Sequence, residues 1–185
     1  MEKYKIGVIV GSLRKESYNL KTAKALIEMA PESLSFEMID IANLPMFNED
    51  LEEAPPQEWV TFREKITEAD GILFLTPEYN RSVPAVLKNA IDVGSRPYGQ
   101  NSWNGKPAGI VSVSIGAISG FGANHHLRQS LVFVNMHTMA QPEAYIGGAG
   151  ALFDNNGKLI NDGTKDFLNS YMKAFKNWIH FNVQK

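Results

Sequence analysis

The feature that most constrains this 185-residue chain is a short apolar run, Tyr4–Val10, followed by a polar loop and an amphipathic segment. The run is nearly continuous in apolar residues, which is typical of a strand buried on both faces of a sheet. After the loop, apolar residues recur at helical spacing at positions 20, 23, 27 and 30, and Pro31 ends the predicted helix. A buried strand that leads into a helix predicts a parallel sheet covered by helices.

The same alternation of apolar runs and amphipathic segments continues along the chain. Further strands are predicted over residues 36–41, 72–75 and 108–114, with a fifth short strand within residues 138–146. Helices are predicted near residues 59–69, 84–93 and 124–134, and a last helix has one apolar face formed by Phe167, Tyr171, Ala174 and Trp178. We therefore predict a single α/β domain over residues 1–185. Its fold is a flavodoxin-like three-layer sandwich, with a five-stranded parallel sheet of order 2-1-3-4-5 and helices on both faces.

The loop over residues 11–19 predicts a phosphate site. It lies at the start of a helix, where unpaired N–H groups and the helix dipole attract an anion. Hydroxyl and amide donors come from Ser12, Ser17 and Asn19, and Arg14 adds a fixed positive charge. The alternative is that Ser17 or Asn19 only caps the helix, but a cap accounts for one of these side chains and not for all four. Because the loop matches neither the P-loop nor the dinucleotide glycine pattern, a monophosphate is favoured.

Two further loops are expected beside it, because ligands of such sheets bind outside the carboxyl ends of the strands. Residues 76–82 form either an ordinary turn or the wall of a pocket, in which Tyr79 would offer a flat apolar face to a ring. Residues 114–122 are rich in glycine, which lets the backbone approach a ligand closely. His125 and His126 are interpreted as surface or packing residues, and residues 147–150 as a flexible surface connection.

The composition narrows the classes of partner. A net charge of −2 gives no reason to expect nucleic acid or an anionic membrane as a partner. The chain has no cysteine, which removes disulfides, thiolate metal sites and a cysteine nucleophile and is consistent with a cytoplasmic location. We expect no metal site, and the apolar run near the N-terminus is too short to span a membrane.

Three motifs, taken together, resemble the NAD(P)H-dependent FMN reductases, a family that includes bacterial quinone, chromate and azo-dye reductases. The motifs occur in the family's order: Gly11-Ser12-Leu13-Arg14-x-x-Ser17-x-Asn19, Thr76-Pro77-Glu78-Tyr79-Asn80 and Lys88-Asn89-Ala90-Ile91-Asp92. The resemblance implies a flavodoxin-like fold, bound FMN, NAD(P)H as co-substrate and a small-molecule electron acceptor. The cofactor-binding residues that it implies are Ser12, Arg14, Ser17, Tyr18 and Asn19 in the first loop, Pro77, Glu78, Tyr79, Asn80 and Arg81 in the second, and Ser114 and Gly116 in the third.

The resemblance also implies a mechanism and an assembly. Hydride would pass from NAD(P)H to flavin N5 and then to a quinone-like, azo or other small acceptor by a ping-pong mechanism, with no catalytic side chain required. The helix that starts at Pro84 resembles the family's dimer surface, which implies a homodimer. A homotetramer stays open, because Gly122 and His125 stand where some relatives carry Arg and Tyr.

Two other functions are weighed against a reductase. The first is a flavodoxin-like FMN electron carrier that does not oxidise NAD(P)H directly, although such carriers are commonly much more acidic than this chain. The second is a non-enzymatic sensor of a phosphorylated ligand, for which the sequence offers no effector surface.

Overall fold

Four parallel strands form the centre of the sheet in the computed structural model, which describes residues 3–183. They are β1 (Tyr4–Val10), β2 (Leu34–Met38), β3 (Gly71–Thr76) and β4 (Pro107–Val113), in the order β2-β1-β3-β4. Every residue of β3 and β4 is buried, because helices cover both faces of the sheet. The predicted parallel order is therefore confirmed. Residues 1–2 and 184–185, at the ends of the predicted domain, lie outside the described residues.

The predicted fifth strand is divided into two short segments. These are β5 (His137–Thr138) and β6 (Ala144–Ile146), and both pair in parallel with β4. Pro142 lies between them and has no N–H to donate, so the ladder of hydrogen bonds is interrupted there. β2 also differs from its predicted bounds: it begins two residues earlier and ends at Met38, although the N–H of Ile39 still donates to the carbonyl of Val8 at 2.9 Å.

Five helices cover the sheet: α1 (Tyr18–Glu28), α2 (Gln57–Glu68), α3 (Ala85–Gly94), α4 (Phe121–Phe133) and α5 (Asp162–Asn182). Buried residues of α1 and α5 pack with Leu73 and Leu75, and those of α2, α3 and α4 pack with Ile72 and Phe74. Successive residues of a strand point to opposite faces, so these two clusters are the two cores of a three-layer sandwich. Within residues 3–183, no helix combines the length and apolarity needed to cross a membrane.

The predicted apolar face of α5 lies at the edge of its buried face. Tyr171 is fully buried, while Phe167, Ala174 and Trp178 are half-buried and pack against the core. The side chains that do enter the core are Leu168, Tyr171, Met172, Phe175 and Ile179. In an amphipathic helix with several aromatic residues, apolar spacing alone allows two neighbouring faces, and packing against the sheet selects between them.

The carboxyl ends of β1, β3 and β4 lie side by side. Val10 pairs with Leu75, and Thr76 pairs with Ser112, so the three strands end at similar levels. The N–H of Gly11 continues the ladder by donating to the carbonyl of Leu75 at 2.8 Å. The three loops that the sequence selected therefore leave the sheet at one edge, where doubly wound sheets bind their ligands.

Candidate cofactor site

The first loop ends in a capped helix. Ser17 is the N-cap of α1, and its hydroxyl oxygen accepts a hydrogen bond from the N–H of Leu20 at 3.2 Å. The capping interpretation of Ser17 is thus correct, but it uses only the oxygen as acceptor and leaves the hydroxyl proton available to a ligand. The first turn of α1 contains no acidic residue that would compete for an anion at this terminus.

Asn19 connects this helix to the end of β4. It is 4% exposed, and its Nδ2 donates to the carbonyl of Val113 at 3.4 Å, while its Oδ1 is buried without a hydrogen-bond partner. An unpaired buried acceptor costs about 1–3 kcal/mol, which a ligand that carries a donor can recover. FMN has hydroxyl donors on its ribityl chain and a phosphate at its end, so these residues fit the group.

The charge of the first loop is positive. Its carboxylate, Glu16, forms an ion pair with Lys21 at 3.0 Å, and the hydrogen bond from Lys21 holds the pKa of Glu16 below its usual range. Arg14 and Lys15 are exposed, and neither takes part in an ion pair within the described part of the chain. Ser12 is half-buried beside them. The loop therefore presents two cations and hydroxyl donors to an anion.

The second loop is a tight turn. The N–H of Tyr79 donates to the carbonyl of Ser82 at 3.0 Å, and the N–H of Ser82 donates back to Tyr79 at 2.9 Å. The central residues, Asn80 and Arg81, have φ values of 51° and 63°, as a type I′ turn requires. Tyr79 is 47% exposed at the base of this turn, and Pro77 is half-buried before it. The turn thus holds an aromatic ring at the surface of the sheet edge.

The Glu78 side chain lies between the turn and the start of α4. Its Oε1 accepts from Nη1 of Arg81 at 2.7 Å, and its Oε2 accepts from the N–H of Ala123 at 3.2 Å. Burial raises the pKa of Glu78, but hydrogen bonds from the N–H groups of Ala123 and Gly122 and from the Arg81 guanidinium outweigh burial, so the net pKa is lowered. The side chain is therefore ionised at neutral pH and connects two of the three loops.

The third loop offers backbone donors. The N–H of Ser114 donates to the carbonyl of Ile146 at 2.9 Å, and the Ser114 hydroxyl accepts from the N–H of Gly116 at 3.0 Å. Within residues 3–183, the N–H groups of Ile115, Ala117 and Ile118 make no hydrogen bond. These donors can stabilise negative charge on a ligand placed at this loop.

Residues 147–150 were expected to be a flexible surface connection, and this expectation was wrong. Ala149 is fully buried, and its N–H donates to the carbonyl of Ser114 at 3.1 Å. Gly147 lies so close to Ser119 that a side chain there would clash with it. Further on, Phe153 stacks on Tyr18, with 6.1 Å between the ring centroids. The segment therefore packs against the third loop, and its position directly after the last strand was the signal that could have revealed this.

The two adjacent histidines have separate surface partners. His125 Nε2 lies 3.0 Å from the hydroxyl of Tyr145, and His126 Nδ1 lies 3.0 Å from the hydroxyl of Ser82. Both side chains are exposed, in agreement with the surface interpretation. No group of three or more His, Asp or Glu side chains in the described ranges could hold a metal ion.

Comparisons with known proteins identify the family of the chain. Residues 4–151 match a family model described as NADPH-dependent FMN reductase, and this range includes all three predicted loops. A quinone reductase of Pseudomonas putida is 61% identical over 180 residues, which cover 97% of this chain and 96% of the relative. A 2-hydroxy-1,4-benzoquinone reductase of a Burkholderia species is 42% identical over 175 residues, covering 95% of this chain and 96% of that protein.

A solved structure is similar over nearly its whole length. It is FerB, a flavoenzyme NAD(P)H:(acceptor) oxidoreductase from Paracoccus denitrificans, which superposes with a TM-score of 0.91 at 40% sequence identity. The match covers 97% of this chain and 98% of that chain.

Proposed function

We propose that this chain, which belongs to the family of NADPH-dependent FMN reductases, has a quinone as its electron acceptor. The enzyme is an FMN-dependent oxidoreductase with NAD(P)H as co-substrate. The quinone is supported by the names of the two relatives, which act on quinones and align over nearly their full lengths. The structural observation that carries the FMN site is the buried, unpartnered Oδ1 of Asn19 beside a cationic helix N-terminus.

The first loop is proposed to hold the phosphate and the ribityl chain. Arg14 supplies a guanidinium, and Ser12 and Ser17 supply hydroxyl donors at the start of α1. Tyr18 and Asn19 complete this group, with the free acceptor of Asn19 available to a ribityl hydroxyl. The loop acts as an anchor and takes no part in electron transfer.

The second and third loops are proposed to hold the ring. When bound, FMN supplies the two-electron chemistry, taking hydride from NAD(P)H and reducing the second substrate. Residues 77–81 (Pro77, Glu78, Tyr79, Asn80 and Arg81) would hold the faces of the ring, and Ser114 and Gly116 its pyrimidine edge. The unpaired N–H groups of the third loop would stabilise negative charge there as preorganised donors. No side chain is assigned as a catalytic acid or base.

The assembly and the location are also proposals. Between the second loop and α4 lies a groove of about 580 Å³, lined by residues such as Val83, Ala85 and Gln129 from the start of α3 and from α4. A homodimer that uses α3 would place the partner subunit beside each flavin, and a homotetramer would need a further interface. A single domain over residues 1–185 and a cytoplasmic location complete the proposal, the latter supported by a cysteine-free sequence.

Steady-state and half-reaction kinetics test the proposed function. Initial rates measured with NADPH and with NADH against a panel of quinones should give parallel double-reciprocal plots, because one site used twice is a ping-pong mechanism. Anaerobic NADPH should bleach the flavin band in the absence of any other protein. A flavin that only a partner reductase can reduce would favour the electron carrier, and a protein that cannot be loaded with FMN would contradict both.

A further inference from the structure

We propose that Glu78 is a positioning residue that ties the turn carrying Tyr79 to the start of α4, with Gly122 providing the space for this contact. The inference rests on the proposed FMN site and deepens it, because it assigns to the Glu78 side chain a role other than contact with the cofactor. It explains how two loops separated by more than thirty residues keep a fixed spacing around one ring.

The turn needs an external support. Both of its central residues, Asn80 and Arg81, lie in the left-handed region although neither is glycine. That conformation is unfavourable for L-residues with a side chain, and it persists where the surroundings hold it in place. The turn itself is closed by the two backbone hydrogen bonds between Tyr79 and Ser82, and the Ser82 hydroxyl also lies 3.0 Å from Nδ1 of His126 on α4. Neither of these contacts reaches the side chains of the two strained residues.

The Glu78 carboxylate supplies that contact in two directions. One oxygen binds the Arg81 guanidinium inside the turn at 2.7 Å, and the other binds the N–H of Ala123 at 3.2 Å. The Glu78 side chain is only 10% exposed whereas that of Arg81 is 69% exposed, so the bond to the buried Ala123 N–H is screened less than the bond to Arg81. The same carboxylate therefore holds both Arg81 in the loop turn and the N-terminal end of α4.

The start of α4 has no local cap. Its N-cap is Gly120, with φ 74°, and no side chain of its own segment binds the free N–H groups there. An acidic side chain at a helix N-terminus satisfies those donors and interacts favourably with the helix dipole. Glu78 thus fills from the second loop the capping position that the third loop leaves open.

Gly122 permits the closeness of this contact. A Cβ built at Gly122 would lie 3.0 Å from Oε2 of Glu78 and 3.0 Å from the carbonyl oxygen of Arg81. An alanine there would make the Arg81 carbonyl and the Glu78 carboxylate move by a few tenths of an ångström. Because α4 continues directly from residues 114–120, a displacement there would change the distance between both walls of the ring site.

Titration of the apoprotein with FMN, followed by visible circular dichroism of the bound flavin, tests the inference. Glu78→Ala should weaken FMN binding about tenfold or more, the effect of losing hydrogen bonds to a charged group, and should change the flavin dichroism. Glu78→Gln keeps an acceptor for Ala123 and should lie between Glu78→Ala and the wild type. Gly122→Ala keeps the carboxylate but displaces it, and should also weaken binding.

A second-site change separates positioning from general damage. Arg81→Gly gives the turn an Asn-Gly pair, the most favourable type I′ sequence, which needs less external support. The loss of FMN affinity caused by Glu78→Ala should therefore be smaller in an Arg81→Gly background than in the wild type, whatever Arg81→Gly itself costs. The matched control is Asp162→Ala, which removes another acidic residue in an i,i+3 ion pair at a helix start, on α5, and should leave affinity and dichroism unchanged.

The possible results distinguish failure of the positioning role from failure of the proposed function. Wild-type affinity and dichroism in Glu78→Ala, or an equal effect of Glu78→Ala in the wild-type and Arg81→Gly backgrounds, would overturn the positioning role. If Glu78→Ala does not fold, Gly122→Ala serves as the test instead. Unchanged FMN binding by Gly122→Ala would also overturn the positioning role. A wild-type protein that binds no FMN would instead refute the proposed function.

Discussion

At the scale of single residues, Asn19 shows how a buried amide can serve both the fold and a ligand. Its Nδ2 binds Val113 at the end of β4, while its Oδ1 stays without a partner. Buried polar atoms in native proteins are nearly always paired, so an unpaired one beside a sheet edge indicates a missing ligand or water. The sequence placed Asn19 in the site, but it could not show that each end of the amide has a different role.

Arg14 is the residue whose removal should most directly weaken the anchor. We expect Arg14→Ala to weaken FMN binding by about 1.5–3 kcal/mol, the range for hydrogen bonds to charged groups. The adjacent Lys15→Ala is the control, and as an exposed charge it should cost less than about 1 kcal/mol. Fluorescence titration of the apoprotein measures both, and equal losses in the two variants would contradict a specific role for Arg14.

The ionisation of Glu78 should make the free energy of unfolding depend on pH in the acid range. Its pKa is lowered from the ordinary value of 4.5, so its stabilising contribution is fully present above that value and is lost as the pH falls through the lowered pKa. The wild type should therefore be more stable than Glu78→Gln near neutral pH, and the difference should shrink below pH 4.5. Urea unfolding of both proteins at several pH values checks this, and a difference that does not vary with pH would argue against it.

At the scale of elements, α3 packs closely against Trp103 at Gly94. Among the helical glycines of the described residues, Gly94 leaves the least space for a side chain. Trp103 is fully buried, its Nε1 donates to the carbonyl of Ile91 at 3.0 Å, and a Cβ at Gly94 would lie 2.5 Å from that nitrogen. The glycine is therefore needed because it permits close approach, and its conformation is not unusual. A helix pattern in the sequence cannot show this, because Trp103 lies outside the helix.

We expect Gly94→Ala to reduce the free energy of unfolding by about 1–3 kcal/mol, the usual cost of overpacking a core. The control is Gly163→Ala in α5, where the nearest atom to a new Cβ lies at an ordinary 3.6 Å. That change should be neutral or stabilise by up to about 1 kcal/mol through helix propensity. Urea denaturation measures both, and equal effects in the two helices would show that contact with Trp103 is not the cause.

The elements also show which predictions a sequence supports. β1 was predicted at its observed bounds and β3 to within one residue, because a strand buried on both faces is a continuous apolar run. The apolar face of α5 was predicted in part, since Phe167 and Trp178 pack against the core from its edge, while Leu168 and Phe175 lie inside it. The division of the fifth strand depends on pairing with β4, which local sequence does not encode.

At the scale of the whole molecule, the site exists only because the sheet aligns three strand ends. Its loops are far apart in sequence, yet the parallel order 2-1-3-4 brings residues 11, 77 and 114 to one edge. This part was predictable from topology, because parallel strands end together. The contact of Glu78 with Ala123 was not predictable, because it depends on how the second and third loops turn after leaving the sheet.

Hydrogen–deuterium exchange of the apoprotein with and without FMN tests the central claim most directly, namely that these loops together hold the cofactor. FMN should slow exchange in residues 11–20, 76–82 and 114–120, where free N–H groups become bonded or shielded. Residues 97–106, which lie between α3 and the start of β4 at the opposite edge, are the internal reference and should not change. Protection of all three loops is the predicted result, and protection confined to one loop, or found at the opposite edge, would contradict the account.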